Sequence, residues 1–114
     1  MLLTGQRVLV VEPEAFAAYA LERRLRDLDA DDVVLVSEPQ QLGAADAALK
    51  GVRMAVIDMD ESVEAAERLA SELGRRGIRV VRTTRHDGFD DAVRKPYDMI
   101  DMERAIGRLC GIVI

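Results

Sequence analysis

The sequence predicts an α/β fold in which a doubly wound parallel sheet lies between helices. Three observations carry that prediction. Short aliphatic runs recur along the chain, stretches with apolar residues at helical spacing separate them, and several runs end on a carboxylate, a hydroxyl or a lysine. Continuous β-branched and aliphatic runs mark strands covered on both faces, as in a parallel sheet between helical layers. Alternation of such runs with 3.6-period segments gives a doubly wound sandwich.

The elements follow in order. Arg7-Val8-Leu9-Val10-Val11 is the first run, and it ends in the polar Glu12-Pro13-Glu14. Pro13 and Glu14 favour a helix start, and Ala18, Leu21, Leu25 and Leu28 then recur at helical spacing between Ala15 and Leu28. Asp32 to Val36 makes a second strand. Pro39 to Lys50 is predicted as a second helix, with Leu42, Ala45 and Leu49 inward and Gly51 as its stop. Met54 to Ile57 is a third buried strand running into Asp58, followed by a helix with Val63, Ala66, Leu69, Ala70 and Leu73 on one face and Gly77 at its close. In the fourth strand, Ile78 to Thr83, the interruptions Arg79 and Arg82 predict one less covered face.

Only the seven residues from Arg85 to Asp91 then precede a short fifth strand, Ala92-Val93-Arg94. A βαβ crossover takes roughly ten to twelve residues or more, so the fourth crossover helix is expected to be missing or reduced to about one turn. Asp98 caps a last helix in which Met99, Met102, Ile106 and Leu109 form one stripe.

Composition bounds the function. A chain of 114 residues, 49% hydrophobic and 32% charged, is read as one domain with a true core, spanning 1–114. A net charge of −5 argues against sequence-independent nucleic-acid binding, which needs clustered Lys and Arg to neutralise phosphates. The lone Cys110 offers neither an intramolecular disulfide nor a metal-ligand pair, which fits a reducing cytoplasm. No run is long and apolar enough to span a bilayer, and Met1 to Gly5 is too short for a secretory leader. No Gly-rich or Ser/Thr-rich phosphate cradle follows the first strand, and no Ser/His/Asp triad or paired acid–base site supports a hydrolase. An enzyme is not expected.

In doubly wound folds ligands bind beyond the carboxyl ends of the strands. The polar residues predicted there are Glu12 and Glu14, Asp58, Thr83 and Thr84, and Lys95-Pro96. Carboxylates, a hydroxyl and a lysine converging on one edge suit a hard cation and a phosphoryl group. Mg²⁺ prefers oxygen ligands, and an ammonium balances phosphoryl oxygens as a point charge.

On these residues the sequence resembles the receiver domains of bacterial two-component response regulators. Val8-Leu9-Val10-Val11-Glu12-Pro13-Glu14 looks like their opening strand and acidic loop, Ala55-Val56-Ile57-Asp58 like their phosphorylation strand, and Lys95-Pro96-Tyr97 like their Lys-Pro-aromatic motif. Arg76 to His86 further resembles a subgroup whose fourth strand ends in Phe-Ala-Thr-Gly-Tyr and whose fourth helix is weak; Arg85 and His86 replace its Gly and Tyr.

The resemblance implies five parallel strands in the flavodoxin-like order 2-1-3-4-5 and a phosphoryl group accepted on Asp58 from a histidine kinase or phosphotransfer protein. It also implies Mg²⁺ held by Glu12 and Asp58, Lys95 pairing with one phosphoryl oxygen, and the Thr84 hydroxyl turning inward to bond another. A cis Lys95–Pro96 bond is implied as well, an isomer accessible chiefly to proline.

Two departures stand out. Pro13 replaces the second of two adjacent acids and is expected to weaken Mg²⁺ binding, and Ala92 replaces an aromatic that couples to the switch hydroxyl. The expected function is that of a stand-alone cytoplasmic receiver signalling to a downstream protein. The alternative is a pseudo-receiver, a phosphorylation-independent interaction or dimerisation module. A homodimer is expected through Ile78, Val80, Val81, Phe89 and Val93, where the missing helix would leave apolar surface uncovered.

Overall fold

The computed structural model describes residues 2–42, 46–87 and 92–110. Five strands, β1 (Arg7–Val11), β2 (Asp32–Val36), β3 (Val52–Asp58), β4 (Arg79–Thr84) and β5 (Ala92–Arg94), form one sheet in the order β2-β1-β3-β4-β5. Every pairing is parallel. The helices are α1 (Ala15–Asp27), the single turn α2 (Asp46–Leu49), α3 (Val63–Arg75) and α4 (Met99–Leu109). This is the doubly wound, flavodoxin-like arrangement predicted from the strand pattern.

Strict alternation along β1 divides the core in two. Val8 and Val10 face one side, where they meet Leu21, Leu25, Met102 and Ile106 of α1 and α4. Leu9 and Val11 face the other and meet Ala66, Ala70 and Leu73 of α3 together with Leu42. A central strand buried on both faces must be apolar at every position, and for that reason β1 and β3 read as unbroken runs. The edge strand β2 is freed from that demand, and its Leu35 is exposed.

The helix ends are set by local chemistry. Glu14 caps α1 by accepting from the Phe16 and Ala17 amides, and Asp98 caps α4 by accepting from the Asp101 amide. Gly77 follows α3 at φ 78°, the left-handed conformation that closes a helix without a Cβ clash.

Three expectations need correction. The predicted helix from Pro39 to Lys50 is instead a 3₁₀ turn, Pro39–Leu42, and the separate short α2. The Gln41 side-chain oxygen accepts from the Ser37 amide at 2.7 Å, the Ser37 hydroxyl at 3.1 Å and the Glu38 amide at 3.3 Å. That local network competes with a helical start. Ala45 of the predicted stripe lies outside the described residues. Val63, predicted inward, begins α3 and is exposed. Lastly, the apolar patch expected at β4 and β5 is largely covered: Ile78 and Val81 are buried, Val80 and Val93 are half-buried, and Phe89 lies outside the described residues.

No helix is present among the described residues between β4 and β5. Arg94 ties the two ends of that connection together, donating from Nε to the Arg85 carbonyl at 3.0 Å and pairing through Nη1 with Asp87.

Candidate functional site

The parallel register places the ends of β1, β3 and β4 side by side. Val11 pairs with Ile57, and Asp58 with Thr83. Each strand therefore leaves the sheet at the same edge, and the polar residue at its end is delivered there. Glu12 leaves β1, Asp58 ends β3, Thr84 ends β4, and Lys95 follows β5. The Lys95 amide donates to the Thr84 carbonyl at 2.6 Å, extending the β4–β5 pairing by one step. Lys95–Pro96 is cis.

Lys95 Nζ lies 2.7 Å from Glu12 Oε1 and 2.7 Å from Asp58 Oδ1. All three side chains are nearly buried, 9% exposed for Lys95, 3% for Glu12 and 4% for Asp58, so these charges are satisfied by one another rather than by water. The second carboxylate oxygens are supplied by backbone. Glu12 Oε2 accepts from the Glu14 amide at 3.0 Å, and Asp58 Oδ2 accepts from the amides of Asp60 at 3.3 Å and Glu61 at 3.2 Å. Burial opposes the charge of Lys95, but the hydrogen bonds and charges of Asp58 and Glu12 outweigh it and hold the ammonium pKa above its ordinary value. Beside the lysine, burial raises the Tyr97 phenol, and the Glu12 charge adds to that.

Glu14 is not part of this group. Both of its oxygens serve the start of α1, and the Ala17 and Phe16 amides hold its carboxyl below the ordinary value. Pro13 carries no side-chain donor. Among the described residues, no group of three or more His, Cys, Asp or Glu side chains is gathered as a metal-binding set. The carboxylates brought together at this edge are Glu12 and Asp58, with Lys95 between them. Mg²⁺ is commonly held by one or two carboxylates, the rest of its shell being water and phosphate oxygens. The pair therefore fits the ion as a minimal donor set.

Thr84, at the end of β4, has a partner that the sequence does not announce. Its hydroxyl, 1% exposed, donates to Asp60 Oδ1 at 2.5 Å and accepts from the His86 amide at 3.0 Å. Asp60 Oδ2 accepts from the Arg85 amide at 2.7 Å. Burial opposes ionisation of Asp60, but the bonds from Thr84 and Arg85 outweigh it and lower its pKa. Sequence reasoning passed over Asp60; its one signal was an acid two residues beyond Asp58, opposite the Thr83-Thr84 strand end. Thr83 is equally buried, and its carbonyl accepts from the Met59 amide at 2.9 Å.

No family model and no curated protein matches the sequence. Solved structures do. A response regulator receiver protein from Burkholderia phymatum superposes with a TM-score of 0.75 at 18% identity, covering 95% of this chain and 97% of its own. The receiver domain of the sensor histidine kinase PA1611 from Pseudomonas aeruginosa PAO1, with a magnesium ion coordinated in its active site cleft, gives 0.72 at 25% identity over 95% and 99%. SdrG from Pseudomonas melonis Fr1, in its BeF3-activated conformation, gives 0.71 at 26% identity over 94% and 98%.

The chain thus has the fold of response-regulator receiver domains. Within that fold the chain carries Pro13 in the loop after β1 and an aspartate, Asp60, bonded to Thr84.

Proposed function

We propose that this chain is a single-domain cytoplasmic receiver in which Asp58 accepts a phosphoryl group from a histidine kinase or phosphotransfer protein and the signal passes on by protein contact. The observation that carries the reading is the buried Lys95 ammonium bonded to both Asp58 Oδ1 and Glu12 Oε1 at the carboxyl edge of the sheet. A phosphoryl group on Asp58 replaces one negative oxygen by several, and Lys95 is within reach to pair with one of them. Glu12 and Asp58 would hold Mg²⁺, which when bound screens carboxylate from incoming phosphate. Among the described residues no helix is long and apolar enough to cross a membrane. Self-association of two copies beside β4 is part of the proposal, though the covered patch leaves it less apolar surface than expected.

Acetyl phosphate with Mg²⁺ should add one acid-labile phosphoryl mass to the wild type and none to Asp58→Asn, read by intact-protein mass spectrometry. A folded wild type that gains no mass from this donor or from a kinase would end the receiver reading.

The second reading, a pseudo-receiver working as a phosphorylation-independent module, is favoured by the acidic loop, where Pro13 brings no carboxylate and Glu14 is spent on the α1 cap. Pro13→Asp discriminates. One added oxygen donor should tighten Mg²⁺ about tenfold, the change that ~1.4 kcal/mol brings. An isothermal titration showing equal affinity for the two proteins would mean that the loop does not face the cation.

A further inference from the structure

The Thr84 hydroxyl has one proton to give and the Arg85 amide has one, and both go to the same carboxylate. Thr84 Oγ1 donates to Asp60 Oδ1 at 2.5 Å, and Arg85 N donates to Asp60 Oδ2 at 2.7 Å. The acceptor capacity of Thr84 is also used, by the His86 amide at 3.0 Å. The hydroxyl is buried, so water does not compete for it. Asp60 lies two residues after Asp58, and Asp58 pairs across the sheet with Thr83, so the two carboxylates and the hydroxyl belong to neighbouring strand ends. An anion carried on Asp58 would find these donors already engaged.

We propose that Asp60 is a built-in anion that takes the Thr84 hydroxyl and the Arg85 amide for itself, holding the end of β4 in place without a phosphoryl group and competing with one for Thr84. The competition rests on the receiver reading of Asp58; the hold does not. Asp60 is on this account a positioning residue, acting through Thr84. Charge supports the assignment. Hydrogen bonds to an ionised acceptor are shorter and stronger than those to a neutral one, so the hydroxyl has little reason to leave the carboxylate for a weaker partner.

The test needs no phosphoryl donor for its first arm. Amide exchange and the Thr84 methyl resonance are compared in wild type, Asp60→Ala and Asp60→Asn. Asp60→Ala should speed exchange at Arg85 by about tenfold or more and shift Thr84, while α1 and β1 keep wild-type rates. Asp60→Asn, whose amide oxygen still accepts, should fall between. Unchanged rates and an unmoved Thr84 in Asp60→Ala overturn the hold.

In the second arm, beryllofluoride with Mg²⁺ should move Thr84 further in Asp60→Ala than in wild type. Equal movement overturns the competition. Movement in neither protein counts against Asp58 as acceptor, and the exchange rates then decide the hold by themselves.

Discussion

Replacing Lys95 by Met should cost about 3–5 kcal/mol of folding stability at neutral pH, the usual result of removing one partner from a buried ion pair. The nearly isosteric thioether leaves shape almost unchanged, so the loss is electrostatic. Glu12 and Asp58, 3% and 4% exposed, would be left without the cation that both now bond. For a domain whose whole stability is ~5–15 kcal/mol, that is a large fraction.

The pH dependence follows with a definite sign. Asp58 and Glu12 hold the Lys95 ammonium pKa above its ordinary value, so the stability it brings is fully present at neutral pH and is lost as pH rises through the folded-state value. The deficit of Lys95→Met should therefore be full at neutral pH and shrink only as pH rises past about 10, where the wild type loses the same charge. Adding Glu12→Gln removes the second charge and should restore most of the loss, as a double-mutant cycle reads it. Urea unfolding of the four proteins decides the matter. A deficit below about 1 kcal/mol at neutral pH, or one that stays unchanged in alkali, would show that the three charges do not depend on one another.

The sequence made Lys95 readable through the proline and aromatic that follow it, and β1, β3, Glu12 and Asp58 for one physical reason. A strand buried on both faces must be apolar throughout, so the first polar residue after it stands out and lies at the sheet edge. The features that stayed hidden depend on contacts between separate segments or on local competition. Asp60 finds its partner Thr84 24 residues away, and neither residue alone signals a bond. Glu14 could have faced a cation or capped a helix, and only the position of the Phe16 and Ala17 amides distinguishes the two. Gln41, an ordinary polar residue in a helical pattern, instead gathers the Ser37 and Glu38 amides and stops the helix that Leu42 and Leu49 suggested. Val63 had the right phase for the α3 core face, but it lies in the first turn, beyond the part of the helix that the sheet covers.

Two isoleucines of α4 should respond very differently to truncation, and the difference reaches the site. Ile106 is fully buried against Val8, Val10, Met54 and Val81, whereas Ile100 is 56% exposed on the same helix. Ile106→Ala should cost about 2–5 kcal/mol, the transfer term plus a cavity, and Ile100→Ala less than about 0.5 kcal/mol. Lys95 depends on the first. It follows a three-residue strand held to β4 through the pairs Arg82–Ala92, Thr83–Val93 and Thr84–Arg94. With so short a ladder, β5 is kept in place largely by Val93, which packs on the same cluster as Ile106. The Arg24–Glu103 ion pair between α1 and α4 fastens that layer from outside. Loosening α4 should therefore release β5 before the central strands, so that amide exchange at Val93 and Lys95 accelerates more than at Val10 or Val56 in Ile106→Ala. If exchange rises uniformly across the sheet, or if the two isoleucines cost the same, α4 does not hold the lysine in the way described.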